Sequence, residues 1–467
     1  MATLTATQET QVAAADERRD AYVAEFERFA TTRPASEPGT VADLRRAGIE
    51  GFAELGFPNL RWEEWRKTDV RPIVDTTFER ATGPGAVELS SLAPHLFDGA
   101  VRLVFVDGFY SAELSAPGEL PEGAYAGSLA AALEASPERL EPHVFQHLGR
   151  HVATDRNPFA SLNTAFFSDG AFVHMPRGKV FETPIHLVFV STVADGTPRV
   201  SYPRNLYVAE EASQVTIVET HIGANSGGAQ GNEGAYFNCA ATEIVVEQGA
   251  VVDHYKVQHE SREAFHVTTQ QLYQAGSSSF SSHSIMAGGA ITRNDVNAVL
   301  DGEGIDAILN GLYLVNGTQL VDNHMRVDHA KEHGDSHELY KGVLDESARS
   351  VFNGLIYVHP GAQKTDAKQT NRNLLLSPGA LASSNPQLEI FADDVKCTHG
   401  STIGQLDEEA VFYLRSRGIG EEAAKSLLTY AFAADVVERI KVEPVRKSLE
   451  AFLFARLPRG EIVRDAV

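Results

Sequence analysis

The sequence predicts a mainly β chain, with a β-solenoid core between helical regions at its two ends. Three observations carry this expectation. From about residue 160 to 400 the chain consists of short runs of Val, Ile, Leu, Tyr and Thr broken by Gly, Asn, Asp and Ser, the texture of strands. Turn-like marks at Gly249, Gly276, Gly302, Gly317, Ser347, Gly361 and Gly379 fall at intervals of 27, 26, 15, 30, 14 and 18 residues, near one unit or its double. Helical texture precedes and follows this stretch. A long series of strands at an approximately fixed period suits a solenoid, whose coils bury one inward face by stacking. A β-sandwich competes on the same texture, but about 240 residues of strand are long for one sandwich.

Taken in order, residues 1–15 are rich in Ala, Thr and Gln and read as a mobile tail. Tyr22, Phe26 and Phe29 follow at helical spacing, and a second helix is expected around Val41–Leu55 after Pro34 and Pro38. In RWEEWRKTDV, Trp62 and Trp65 stand three apart, as packing anchors do. Residues 101–135 mix short strands (RLVFVDG) with Ala-rich helical turns. The earlier turn mark at Ala212 lies 37 residues before Gly249, an excess that the Gly-rich insertion from Gly223 to Gly234 accounts for. Within the repeats the strands alternate: in AVVDHYKV, Val251, Tyr255 and Val257 face one way and His254 and Lys256 the other. After Gly404, Asp407 caps a helix running to Arg417 with Gly418 as its stop, a second runs from Glu421 to Ile440, and Pro444 opens the last. These terminal helical regions are expected to cap the solenoid, because an uncovered coil leaves free strand edges. The divisions are therefore 1–150, an N-terminal helical and mixed region; 151–404, the β core; and 405–467, a C-terminal helical domain.

Composition narrows the function. With 40 basic against 63 acidic side chains in 467 residues, the net charge of −23 opposes binding to nucleic acid or an anionic membrane. No apolar stretch reaches the roughly 18–20 residues of a spanning helix, and residues 1–20 lack the features of a secretory signal. Two cysteines, Cys239 and Cys397, exclude a disulfide scaffold and fit a reducing, cytoplasmic setting.

Two constellations could carry chemistry. His329, His333 and His337 recur every four residues near His324 and Asp335, but Gly334 interrupts a helix and no H-E-x-x-H pattern is present, so water-facing or hydrogen-bonded imidazoles are the plainer reading. In FADDVKCTHG, Cys397 and His399 stand two apart and point to one side of an extended strand, where a thiolate and an imidazole could bind iron or sulfur species; Lys396 is placed to lower the thiol pKa. Two ligands do not close a site, and the others would come from elsewhere or from another chain. Cys239 reads as a buried strand residue. Phosphate-binding loops are absent, so no nucleotide is expected on this chain. Residues 405–467 carry 11 acidic and 10 basic side chains, a poor balance for a DNA reader; Arg415 and Arg417 beside Gly418 suit protein docking instead.

NPFASLNTAFFSDGAFVHMPRG, the run from VDNHMRVDHAKEHGDSH to QTNRNLLLS, and PQLEIFADDVKCTHGSTIGQLDEEAVFYLRSRGI together resemble the SufB/SufD family of iron-sulfur cluster assembly proteins, and within it the SufD branch. The resemblance covers residues 150–440 strongly and EEWRKTD more weakly. It implies a right-handed parallel β-helix flanked by N-terminal and C-terminal α-helical regions, a non-catalytic scaffold pairing with SufB and docking the ATPase SufC. It further implies that Cys397 and His399 handle a transient iron-sulfur cluster, as metal ligands shared with the partner, and that Tyr413, Arg415 and Arg417 contact SufC. The SufB branch is expected to have a cysteine near Arg372, which this chain lacks. Homodimers in isolation and a contribution from reduced flavin stay open. The competing readings are a purely structural solenoid without iron or sulfur contact, and a polysaccharide enzyme; the latter needs carboxylates about 5–9.5 Å apart, whereas Asp393 and Asp394 are expected on opposite faces of a strand.

Overall fold

A computed structural model describes residues 6–34, 37–134, 141–193, 196–224 and 234–466. Two sheets wind into a parallel β-solenoid. The first contains Ala171–Met175, Arg204–Ala209, Tyr236–Val246, Phe265–Gln274, Ile291–Leu300, Leu320–His329, Arg349–Val358 and Leu381–Ile390. The second contains Val101–Val106, Val180–Ser191, Gln214–Gly223, Val251–His259, Ser279–Met286, Asp306–Val315, Asp335–Leu344, Asp366–Leu375 and Lys396–Gly404. The chain alternates between the sheets: Val251 pairs with Ser279, Ser279 with Asp306, Asp306 with Asp335, Asp335 with Asp366 and Asp366 with Lys396, so these coils take 27–31 residues each.

The expected turn marks all fall between strands. Corners require backbone in the left-handed region, found at Ala212, Ser277, His333, Glu346 and Lys364 as well as at Gly249 and Gly317. Successive corners also stack closely: a Cβ on Gly302 would lie 2.2 Å from the Gly276 amide nitrogen. The insertion inferred after Gly223 lies largely at 225–233, outside the described residues.

The solenoid interior is divided. Val252, Leu272, Phe280, Ala298 and Leu309 pack in its apolar part. Along Val251–His259, however, His254, Lys256 and Gln258 also point inward, while Tyr255 and Val257 point out against the C-terminal helices. The Lys256 ammonium crosses between sheets to Thr268 Oγ1 (3.0 Å) and Asn294 Oδ1 (3.1 Å), and His254 Nε2 meets Glu219 Oε1 at 3.1 Å. These partners allow polar groups to be buried without leaving them unpaired.

Both helical regions lie along the sheets. The first helix spans Ala6–Thr31, starting inside the stretch expected to be a tail because Ala- and Gln-rich sequence favours helix; residues 1–5 are outside the described residues. It and Gly39–Leu55 cover the outer face of the first sheet, where Phe26, Phe29, Ile49 and Phe52 join Phe237, Phe265 and Ile291. Trp65, in a 3-10 turn, is the expected anchor: Arg293 stacks 3.7 Å over its ring, donates 2.8 Å to the Glu64 carbonyl and pairs with Asp322. Asp407 caps Glu408–Ser416 as expected. The next helices, Glu421–Val437 and Glu443–Arg456, cover the outer face of the second sheet through Tyr430, Val437, Leu449 and Leu453 against Val218, Tyr255, Leu312 and Val343. A further helix, Gly460–Ala466, follows the one expected to be last.

Among the described residues, therefore, no helix forms the expected cap over the final coil. The helices spend their apolar stripes on the sheet faces, and Leu381–Ile390 and Lys396–Gly404 each pair on one side only. No helix among the described residues is long and apolar enough to cross a membrane.

Candidate functional site

The final strand, Lys396–Gly404, positions Cys397 and His399. Cys397 pairs with Ala367 and His399 with Gln369, two inward-facing residues of the preceding coil, so both side chains lie on the inward side of a coil that no further coil among the described residues covers. Cys397 is half-buried against the apolar cluster that contains Ile356, Ala367 and Ala392, while His399 is exposed. The two residues share a side as expected. Lys396 does not activate the thiol: burial pushes Cys397 up, the Asp366 carboxylate adds to the shift, and only the Ala367 amide opposes it. A metal ion would have to drive off the proton itself.

Beneath His399 runs a column that sequence reasoning missed. Glu338, Gln369 and His399 are consecutive register partners, and in-register side chains stack at about 4.8 Å. Gln369 Nε2 donates to Glu338 Oε2 at 2.9 Å, in space left by Gly354, where a Cβ would lie 2.3 Å from that nitrogen. Burial pushes Glu338 up to about 7, with the Gln369 hydrogen bond working the other way. The signal available was the period-2 alternation across HELYKG and AKQTNRN, which groups Glu338 with Tyr340 and Gln369 with Asn371 on one face; the fold turns that face inward.

The two free edges differ. In Leu381–Ile390 the Leu381 amide donates to Ala348, so ladder alternation turns the position of Pro386 outward; the proline removes a donor from the free edge without breaking a ladder bond. In Lys396–Gly404 the Lys396 amide donates to Thr365, which turns the amides of Cys397, His399, Ser401 and Ile403 outward, and no proline blocks them. Leu381, Ile390, Phe391, Ile403 and Phe412 add exposed apolar side chains, Phe412 at 70% exposure.

Tyr413, Arg415 and Arg417 lie on or just after Glu408–Ser416, all exposed. Arg417 donates 3.1 Å to the Tyr413 hydroxyl and sits 5.1 Å over its ring, while Arg415 pairs with Glu421 at 3.4 Å. Arg372 points outward and is exposed.

The histidine series does not converge. His329 is buried at a strand end with Nε2 2.9 Å from Ser336 Oγ, His333 occupies a left-handed corner, and His337 lies on the next strand. His324 pairs instead with Asp322 at 3.1 Å. Asp393 and Asp394 sit in the turn before the last strand rather than in a strand, Asp394 pairing with Lys364. Cys239 is the buried residue expected, its thiol 3.3 Å from the Phe159 carbonyl and pushed well up by burial.

Comparison with known proteins now bears on this geometry. Residues 189–432 match the family described as SUF system FeS cluster assembly, SufBD core domain, and residues 16–187 match the SufBD protein N-terminal region. An iron-sulfur cluster assembly SufBD family protein of Synechocystis is 34% identical over 90% of this chain and 92% of its own length. The iron-sulfur cluster assembly protein SufD of Escherichia coli is 31% identical over 88% and 92%. A chloroplastic protein of Arabidopsis thaliana, ABCI7, is 29% identical over 86% and 83%.

Proposed function

The chain belongs to the SufBD family of iron-sulfur cluster assembly proteins, and from that premise we propose that it is a SufD-like, non-catalytic scaffold subunit that pairs with SufB at the open end of its solenoid. The observation that carries this reading is the uncapped final coil, where an unblocked strand edge and the Cys397–His399 pair coincide. Strand addition would satisfy the outward amides of Lys396–Gly404 and cover the exposed apolar rim. It would also bring the partner's ligands beside two groups that cannot close a metal site by themselves. Without SufB, the same edge suits a second copy of this chain. The cluster is cargo, held transiently between the subunits.

SufC docks through Glu408–Ser416 and its flank, with Tyr413, Arg415 and Arg417 as contacts. Lys341 ties the neighbouring helix to the solenoid, reaching Asp435 at 2.7 Å and the Phe432 carbonyl at 3.0 Å. ATP-driven movement of SufC would thereby reach the solenoid and open its end, provided that SufC contacts the two states unequally.

The test is co-purification with SufB and SufC followed by anaerobic reconstitution. His399→Ala is expected to leave the complex intact and remove the iron-sulfur absorption; normal absorption in the mutant complex would overturn the direct role. The raised thiol pKa of Cys397 favours a second reading, a structural subunit that never touches iron. Normal assembly by a Cys397→Ala, His399→Ala double variant would select it.

A further inference from the structure

At the opposite end of the solenoid, we propose a binding site for one divalent transition-metal ion, Zn2+ or Fe2+, formed by His143, His174 and Glu210. His143 comes from the helix Glu141–His147, His174 from the strand Ala171–Met175, and Glu210 from the corner after Arg204–Ala209. His143 Nδ1 lies 3.1 Å and His174 Nε2 2.9 Å from the same carboxylate oxygen, Glu210 Oε1, and the three donor atoms all fall within 4.8 Å of one another. Around an ion with bonds of about 2.0–2.2 Å, ligand atoms stand roughly 3–3.5 Å apart, so only small side-chain adjustments are needed.

The surroundings favour an ion over a hydrogen-bonded triad. Glu210 Oε2 accepts the Arg177 amide at 2.9 Å, which aims Oε1 at the two rings, the kind of outer support that orients metal-bound carboxylates. The imidazoles stand with centroids 4.2 Å apart, a separation at which two cations would repel. The His174 side chain is 4% exposed, whereas His143 and Glu210 are 34% and 21% exposed, so one side stays open to water or an exchangeable ligand. Two imidazoles and a carboxylate, without thiolate, select Zn2+ or Fe2+ rather than a sulfide-bridged cluster.

Tag-free, chelator-treated full-length protein, titrated anaerobically with Zn2+ or Fe2+ against a chromophoric chelator, is expected to retain one ion per chain. His143→Ala, on a partly exposed helix, and Glu210→Gln, which preserves side-chain shape, should each lose it, while His337→Ala keeps it. Zn2+ should also raise the melting temperature of the parent and not of His143→Ala. No retained ion, or an equal one in His143→Ala and Glu210→Gln, overturns the proposal.

Discussion

The two ends of the solenoid are built on opposite principles. At the first end the chain turns antiparallel, pairing Tyr125–Ser128 with Ala171–Met175 and Phe109–Ala116 with Val101–Val106, and all five residues of Ala171–Met175 are buried. At the last end the parallel ladders simply stop, and Lys396–Gly404 is exposed at every residue but Cys397. The seven strand spacings between Ala171–Met175 and Leu381–Ile390 separate these ends by roughly 34 Å. One end is covered by antiparallel strands and buried; the other leaves the outward amides of Lys396–Gly404 without a strand partner among the described residues. An uncapped solenoid end is an aggregation hazard unless a partner covers it, which links this fold to assembly.

Stability should show the largest contrast. At the closed end, Glu243 pairs with the equally buried Arg204 at 2.6 Å and accepts the amides of Gly149, His151 and Val152. Glu243→Ala should cost about 3–5 kcal/mol in denaturant unfolding, because it strands a buried guanidinium. Asp394→Ala removes an exposed ion pair at the open end and should cost less than about 1 kcal/mol. Equal losses would break the comparison.

Pairing should show the reverse. Ser401→Pro deletes one outward amide and no ladder bond, so its unfolding should shift by about 1 kcal/mol or less while binding of SufB is lost in a pull-down.

The column below His399 predicts a pH effect. Folding raises the Glu338 carboxyl from 4.5 to about 7, so its protonated form contributes stability that is complete below pH 4.5 and is lost as pH rises through 7. Glu338→Gln should therefore gain roughly 1–3 kcal/mol on the parent at pH 8 and lose that advantage near pH 5. A pH-independent difference would place the titration elsewhere. The smallest effect belongs to Tyr413→Ala: within about 0.5 kcal/mol of the parent in unfolding, with weaker capture of SufC.

Much of the architecture was legible because corners need particular backbone. The marks from Gly249 to Gly379 locate turns, and Asp407 and Pro444 locate helix starts, through local conformational demands. What alternation could not reveal was which face points inward. Tyr255 and Val257 are apolar because helices cover the outside, while His254 and Lys256 are buried inside with partners supplied by other strands. At the site, the two-residue spacing was enough to put Cys397 and His399 on one side. Their exposure depends on there being no following coil, and the Cys397 pKa on burial and on Asp366 across the ladder, neither of which is local. Likewise, His143, His147 and His151 repeat every four residues in plain view, yet His143 finds Glu210 and His174 only through the tertiary fold.

Hydrogen exchange on the Lys396–Gly404 strand, measured before and after SufB is added, tests the open-end account most directly. The account predicts strong new protection across this strand and little change in Ala171–Met175. A stable complex with Lys396–Gly404 still exchanging freely would contradict it.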